Sequence, residues 1–248
     1  MTDAPRRTRR VIITGGSGGI GRGIAERLAA AGHLVGIVGR HPDSVDAAVR
    51  SIGASGGRAC GAIGDVRDPV EIQETVRVLV EHLGGLDALV VNAGIIPRES
   101  ILEISLERWR DVIDTNVHGA FFSIRAALPY FVAQRQGHVI AISSISGRLP
   151  LAPGSAYAAS KHALTGLSES LFLELRDKGI KVSTVFPGSV ATESNATRGR
   201  DDSWKLQPAD VGEACRAILE TSDPTVISRL EIRPLMPGGA PGAKGKRS

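Results

Sequence analysis

Aromatic residues are scarce in this chain of 248 residues, at 4% of positions. Single-stranded nucleic acid is held by bases stacked on aromatic rings between basic residues, so that partner class is excluded despite a formal net charge of +4. The densest basic clusters are Arg6-Arg-Thr-Arg-Arg10 and Lys244-Gly-Lys-Arg247, at the two ends, where they read as solvated tails. Cysteine is rarer still. Cys60 and Cys215 stand far apart, which excludes a disulfide framework and a cysteine metal site and points to reduced thiols in a cytoplasmic protein. Long apolar runs are missing as well. Val11-Ile-Ile13 meets Thr14 and glycine too soon for the apolar region of a secretion signal, and no stretch reaches the ~20 residues that span a bilayer.

Glycine is plentiful, at 30 residues, and follows no repeat period, so it marks many tight turns. With 42% hydrophobic residues the chain can bury one sizeable core, and we expect one domain over residues 1–248 with flexible tails at 1–9 and 238–248. Short apolar runs alternate with helical patterns. Val11 to Thr14, Leu34 to Val38, Arg58 to Ile63, Leu86 to Val91, His138 to Ser143, Ile180 to Phe186 and Arg229 to Arg233 read as strands. Between them, Ile20 to Ala31, Pro42 to Ile52, Pro69 to Leu83, Ser105 to Gln134, Ser155 to Lys178 and Pro208 to Glu220 read as helices. This alternation predicts an α/β fold: a doubly wound, parallel seven-stranded sheet of Rossmann type between two helical layers, with its ligand site at the carboxyl ends of the strands.

Between the first strand and first helix lies Thr14-Gly-Gly-Ser-Gly-Gly-Ile-Gly21. Gly15, Gly19 and Gly21 suit a tight turn, a close backbone approach to phosphate and close helix packing, and the helix N-terminus that follows favours a pyrophosphate. After the second strand the chain reads Val38-Gly-Arg-His41, without the acidic residue that holds an NAD ribose. Arg40 instead offers bidentate donors to a 2′-phosphate, which favours NADP(H) over NAD(H); a solvent-exposed loop arginine is the plainer alternative. Asp65, at the end of the third strand, either accepts a hydrogen bond from an adenine amino group or is an ordinary turn aspartate.

Tyr157 and Lys161, in Ser155-Ala-Tyr-Ala-Ala-Ser-Lys161, share one helix face. A nearby ammonium stabilises phenolate and lowers the phenol below its usual pKa of about 10, which makes the tyrosine a general acid or base. Ser144, at the end of the preceding strand, can hydrogen-bond a substrate oxygen; Ser143 and Ser146 compete for that role. No metal is called for.

Together with Asn92-Ala-Gly94, Asn116 in Asp114-Thr-Asn-Val117, and Pro187-Gly188 followed by Thr192, these motifs closely resemble the short-chain dehydrogenase/reductase family, over nearly all residues from 10 to 233. The resemblance implies a catalytic tetrad of Asn116, Ser144, Tyr157 and Lys161, with Asn116 holding a helix bulge and a water. Chemistry alone reads Asn116 as a polar residue satisfied within a helix. The resemblance also implies a cofactor cradle of Gly15, Ser17, Gly18, Gly19, Ile20, Gly21, Arg40, Asp65, Val66, Asn92, Ala93, Gly94, Tyr157, Lys161, Pro187, Gly188, Val190 and Thr192. Many NADP-preferring relatives carry a second basic residue where this chain has Gly18.

The expected activity is NADP(H)-dependent interconversion of a carbonyl and a secondary alcohol, on small hydroxy acids or ketones. A 3-oxoacyl thioester reductase is the alternative enzyme, and a non-catalytic dinucleotide-binding sensor the alternative of another class. The polar segment 193–207 is expected to form a substrate lid and, with Ile95, Ile96, Pro97, Arg98 and Arg148, to border the substrate pocket; the arginines either favour an acidic substrate or serve surface solubility. The resemblance implies a homotetramer, with a homodimer as the alternative.

Overall fold

Short apolar runs covered on both faces belong in a parallel sheet. In the computed structural model, which describes residues 7–192 and 202–236, seven strands form one: β1 (Arg10–Thr14), β2 (Leu34–Gly39), β3 (Arg58–Ile63), β4 (Ala88–Val91), β5 (Gly137–Ile142), β6 (Ile180–Pro187) and β7 (Arg229–Ile232). They pair in parallel in the order β3-β2-β1-β4-β5-β6-β7. The helices are α1 (Gly19–Ala30), α2 (Pro42–Ala54), α3 (Pro69–Leu83), α4 (Leu106–Ile113), α5 (Gly119–Gln134), α6 (Ser155–Leu175) and α7 (Pro208–Leu219). This is the expected doubly wound architecture. Among the described residues, no helix is long and apolar enough to cross a membrane.

Side chains alternate along each strand, so one face of the sheet carries Val11, Ile13, Val35 and Ile37 against α1, α2 and α7. The other carries Ile12, Leu89, Val91 and Val139 against α3, α5 and α6. From β1 the chain steps outward through β2 and β3, then returns to the other side of β1 as β4. The crevice beyond the carboxyl ends of β1 and β4 is therefore the topological switch point where this fold receives ligands.

The region from Ser105 to Gln134 differs from the continuous helix its periodicity predicts. A π turn over Asp114–His118 separates α4 from α5. Its cause is tertiary: Asn116, inside the turn, is tied to residues outside the helix, as described below. The amino edge brings a second correction. Arg10 is the first residue of β1 and not part of a solvated end. Its Nε donates to Asp87 Oδ2 at 2.8 Å, its Nη2 to Oδ1 at 3.0 Å, and its backbone N–H to Oδ2 at 2.8 Å.

Candidate active site

The loop between β1 and α1 is shaped by what cannot fit there. Gly15 has φ +64°, a left-handed value that favours glycine. A Cβ on Gly21 would collide with the Gly15 carbonyl and stand 2.5 Å from Asn92 Nδ2. Asn92, just beyond β4, braces this loop: its Nδ2 donates to the carbonyls of Thr14 at 3.1 Å and Gly15 at 3.2 Å. Thr14 completes the brace by accepting from the backbone N–H groups of Asn92 and Ala93, at 3.1 and 3.3 Å. At Gly18 a Cβ would meet nothing within 4 Å. Gly18 precedes α1, which has neither a side-chain cap nor an acidic residue in its first turn. Its first N–H groups thus have no side-chain acceptor, and the dipole there favours an anion. By contrast, Asp68 caps α3 and Ser105 caps α4.

Three strand ends surround this loop. Ser17 Oγ lies 2.7 Å from where a Cβ of Gly39, the last residue of β2, would stand, so Ser17 abuts that end. Arg40 follows, exposed. Thr192 Cγ2 lies 3.5 Å from the Cβ position of Gly19, which brings the segment after β6 over the loop. Gly188 N donates to Ile232 O at 2.8 Å, Val190 is buried and bridges to Leu206, and the partly buried Ile20 packs on the core beneath.

Tyr157 and Lys161 lie on α6, 7% and 5% exposed. Ser144 faces the Tyr157 hydroxyl and eases its ionisation, and the Lys161 ammonium is 5.8 Å from the centre of the phenol ring. Ser144 also caps the short turn after β5, accepting from Ser146 N at 3.1 Å. The competing Ser143 is turned the other way, donating to Lys161 O at 3.2 Å and bonded to Thr165 Oγ1 at 2.9 Å. Asn116 is 1% exposed. Its Oδ1 accepts from Ile95 N at 2.8 Å, and its Nδ2 donates to Ile95 O and Ser160 Oγ, both at 3.0 Å. Ser160 Oγ in turn donates to Tyr157 O at 2.8 Å. One chain of bonds thus fixes the loop after β4, the π turn and the tyrosine's helical turn.

The electrostatics depart from the sequence expectation at the phenol. Burial pushes the Tyr157 pKa above its ordinary value, and the Ser144 hydroxyl and the positive charge of Arg98 offset this only in part. Burial also lowers Lys161 to about 8. The Lys161 ammonium donates to Ile142 O, at the end of β5, at 2.8 Å.

A family model described as short chain dehydrogenase matches residues 9–203. An uncharacterized oxidoreductase of Staphylococcus aureus (strain MRSA252) is 30% identical over 224 residues, which cover 90% of this chain and 96% of that protein. One from Listeria innocua is 36% identical over 185 residues, covering 74% and 75%. Among solved structures, a metagenomic short-chain oxidoreductase in complex with NADP superposes with a TM-score of 0.82 at 30% identity, covering 94% of this chain and all of that one. A variant actinorhodin polyketide ketoreductase with NADPH superposes with a TM-score of 0.84 at 26% identity, covering 93% and 98%. The chain belongs to the short-chain dehydrogenases.

In this short-chain dehydrogenase the strand ends gather the sequence-predicted residues at one edge of the sheet, with one change at Asp65. Arg67 holds that carboxylate: Nη2 donates to Oδ2 at 2.6 Å and Nε to Oδ2 at 2.9 Å. The hydrogen bonds from Arg67 outweigh the effect of burial and keep the Asp65 pKa below the usual carboxylate range. Val66, 5% exposed, packs on Gly119, and Gly94 lies against Asn116. Sequence reasoning missed Arg67, Thr14, Ser160 and the Ile142 carbonyl. Thr14 alone carried a signal, as a hydroxyl at a strand end beside glycine. The segment 193–201, most of the expected lid, lies outside the described residues, as do 1–6 and 237–248.

Proposed function

We propose that this short-chain dehydrogenase uses NADP(H) to interconvert a carbonyl and a secondary alcohol, on small hydroxy acids or ketones, with Tyr157 as general acid/base. The observation that carries this reading is the buried Tyr157 phenol with the buried Lys161 ammonium 5.8 Å from its ring centre, on the helix that follows Ser144. A dinucleotide fits the residues present: α1 is uncapped, and only glycine clears the Gly15 carbonyl at position 21. The nicotinamide supplies or accepts the hydride when bound. We assign the 2′-phosphate that marks NADP to Arg40, exposed after β2, and the NADP and NADPH complexes of the similar structures support that choice.

In the reductive direction Tyr157, kept protonated by its raised pKa, hands its proton to the substrate oxygen. Ser144 orients that oxygen and shares its developing charge. Lys161 holds positive charge beside the phenol as it ionises. Both donors of the Asn116 amide are taken by Ile95 and Ser160, so its part in a proton path falls to the backbone carbonyls of the π turn. In the oxidative direction the phenol must first lose its proton, so neutral pH favours reduction. Exposed Leu106, Trp109 and Phe121 on α4 and α5 support assembly of copies through these helices, as in a homotetramer, which light scattering checks.

The test is NADPH and NADH oxidation over ketones, aldehydes, 3-oxo acids and acyl thioesters. Tyr157→Phe should lower kcat by about 100- to 10,000-fold, and unchanged turnover in that variant sinks the mechanism. An Arg40→Ala variant that keeps its preference for NADPH defeats the 2′-phosphate assignment.

A further inference from the structure

Two arginines stand where the sequence places the border of the substrate pocket, and the structure treats them differently. Arg148 is paired: it donates to Glu231 Oε2 at 3.0 Å, a carboxylate it shares with Arg233, and lies over the Phe186 ring at 5.5 Å. Arg98 is exposed, and among the described residues it forms no ion pair. Its loop is not free to carry it away. Ile95 is held through both its N–H and its carbonyl by the Asn116 amide. Pro97 is buried, and its carbonyl lies 3.8 Å from the Cβ position of Gly154, the residue before α6. The loop is thus pinned to the two elements that position Tyr157, and Arg98 directly follows its buried Pro97. A cation on a loop held against those elements, and without a protein carboxylate among the described residues, complements a negative charge on whatever binds there.

We infer that Arg98 is a specificity-determining residue that receives the carboxylate of the substrate, so that small oxo acids are reduced in preference to neutral ketones of the same shape. This rests on the carbonyl-reductase reading above and names the substrate class within it. A different role for the same charge, easing ionisation of Tyr157 alone, would act on acid and neutral substrates alike, and that separates the two.

The experiment compares kcat/KM for NADPH-dependent reduction of acetoacetate with methyl acetoacetate, and of pyruvate with methyl pyruvate. It uses the wild type, Arg98→Gln and Arg98→Lys. One charge-assisted hydrogen bond lost from a bound carboxylate predicts that the acid-to-ester ratio of kcat/KM falls about 10- to 100-fold in Arg98→Gln, mainly through KM. Arg98→Lys should retain much of the ratio. Calorimetric titration with malonate, which is not reduced, should show binding to the wild type and its loss in Arg98→Gln. An acid-to-ester ratio that is unchanged in Arg98→Gln overturns the inference while leaving the carbonyl-reductase reading intact. Failure of the wild type to reduce the acids while it reduces neutral ketones overturns the inference alone, and failure on every carbonyl of the wider panel above overturns both.

Discussion

At the amino edge of the sheet Arg10 grips Asp87 through Nε at 2.8 Å and Nη2 at 3.0 Å, whereas at the carboxyl edge the buried Lys161 ammonium reaches one neutral carbonyl, Ile142, at 2.8 Å. The contrast recurs at other charges of the two edges, with the buried Nε2 of His33, just before β2, as the exception on the amino side. On the amino side Lys181 pairs with Asp223 at 2.5 Å and His138 Nε2 meets Ser183 Oγ at 2.7 Å. On the carboxyl side α1 begins uncapped, Arg40 and Arg98 are exposed, and burial makes Tyr157 harder to ionise and Lys161 harder to protonate. Satisfied charges hold a fold together. Unsatisfied ones weaken it and persist where a ligand or a reaction uses them.

Lys161→Met should break this contrast most visibly, lowering kcat by about 100-fold or more while raising stability. The folded-state pKa of Lys161 is depressed from 10.5 to about 8, so the buried charge carries its full penalty below pH 8. The penalty fades as the pH rises through that window. Relieving it, less the lost bond to Ile142, gains roughly 2 kcal/mol, a rise of several degrees in Tm at pH 7. A fall in Tm with activity retained would refute the assignment of this edge to function.

Asp87→Ala probes the opposite edge. The Asp87 side chain is 5% exposed, and its removal strands the Arg10 guanidinium and the first N–H of β1. We expect a loss of about 3 kcal/mol in urea unfolding with kcat within about twofold of wild type. A large drop in kcat at unchanged stability would show that the two edges are not separate.

How far this division can be read from the chain depends on how local its causes are. The bounds of α3 were visible as Pro69 and Leu83, because Asp68 caps its start and Gly84, at φ +71°, ends it, all from neighbouring residues. The π turn was invisible to periodicity, since its Asn116 bonds to Ile95 and Ser160 lie 21 and 44 positions away. Tyr157 and Lys161 announced themselves by helical spacing. Which of Ser143, Ser144 and Ser146 faces the phenol depended on how the chain turns after β5. Arg10 was misjudged for the same reason, since its partner is set by a strand pairing that composition does not encode; the Arg67 bonds to Asp65 are likewise set by a turn.

The amino edge also predicts its own weakness in acid. His138 is buried with a pKa lowered to about 3, chiefly by burial and then by the charges of Lys181 and Arg9, with Asp223 opposing. The unfolded chain protonates its histidine from about pH 6.5 downward while the folded one does not. Stability is therefore lost as the pH falls from 6.5 toward 3, with roughly 2 kcal/mol gone at pH 5. His138→Gln should flatten that slope in denaturant titrations at pH 7 and pH 5. An equal slope in the variant would move the acid sensitivity to another group.

The smallest expected effect lies at Gly18, where the carboxyl edge has room to spare. With φ −152° and ψ 169° the backbone there suits any residue, and no atom stands within 4 Å of a Cβ. Gly18→Arg should change stability by less than about 0.5 kcal/mol, since the lost glycine before α1 removes no side-chain cap. If the Arg40 side of the loop receives a 2′-phosphate, a second guanidinium at position 18 should tighten NADPH relative to NADH by about three- to tenfold at low salt, less at high salt. Fluorescence titration of both cofactors measures this. Equal tightening of NADPH and NADH would mean that position 18 senses the pyrophosphate alone, and would leave the choice between cofactors to Arg40.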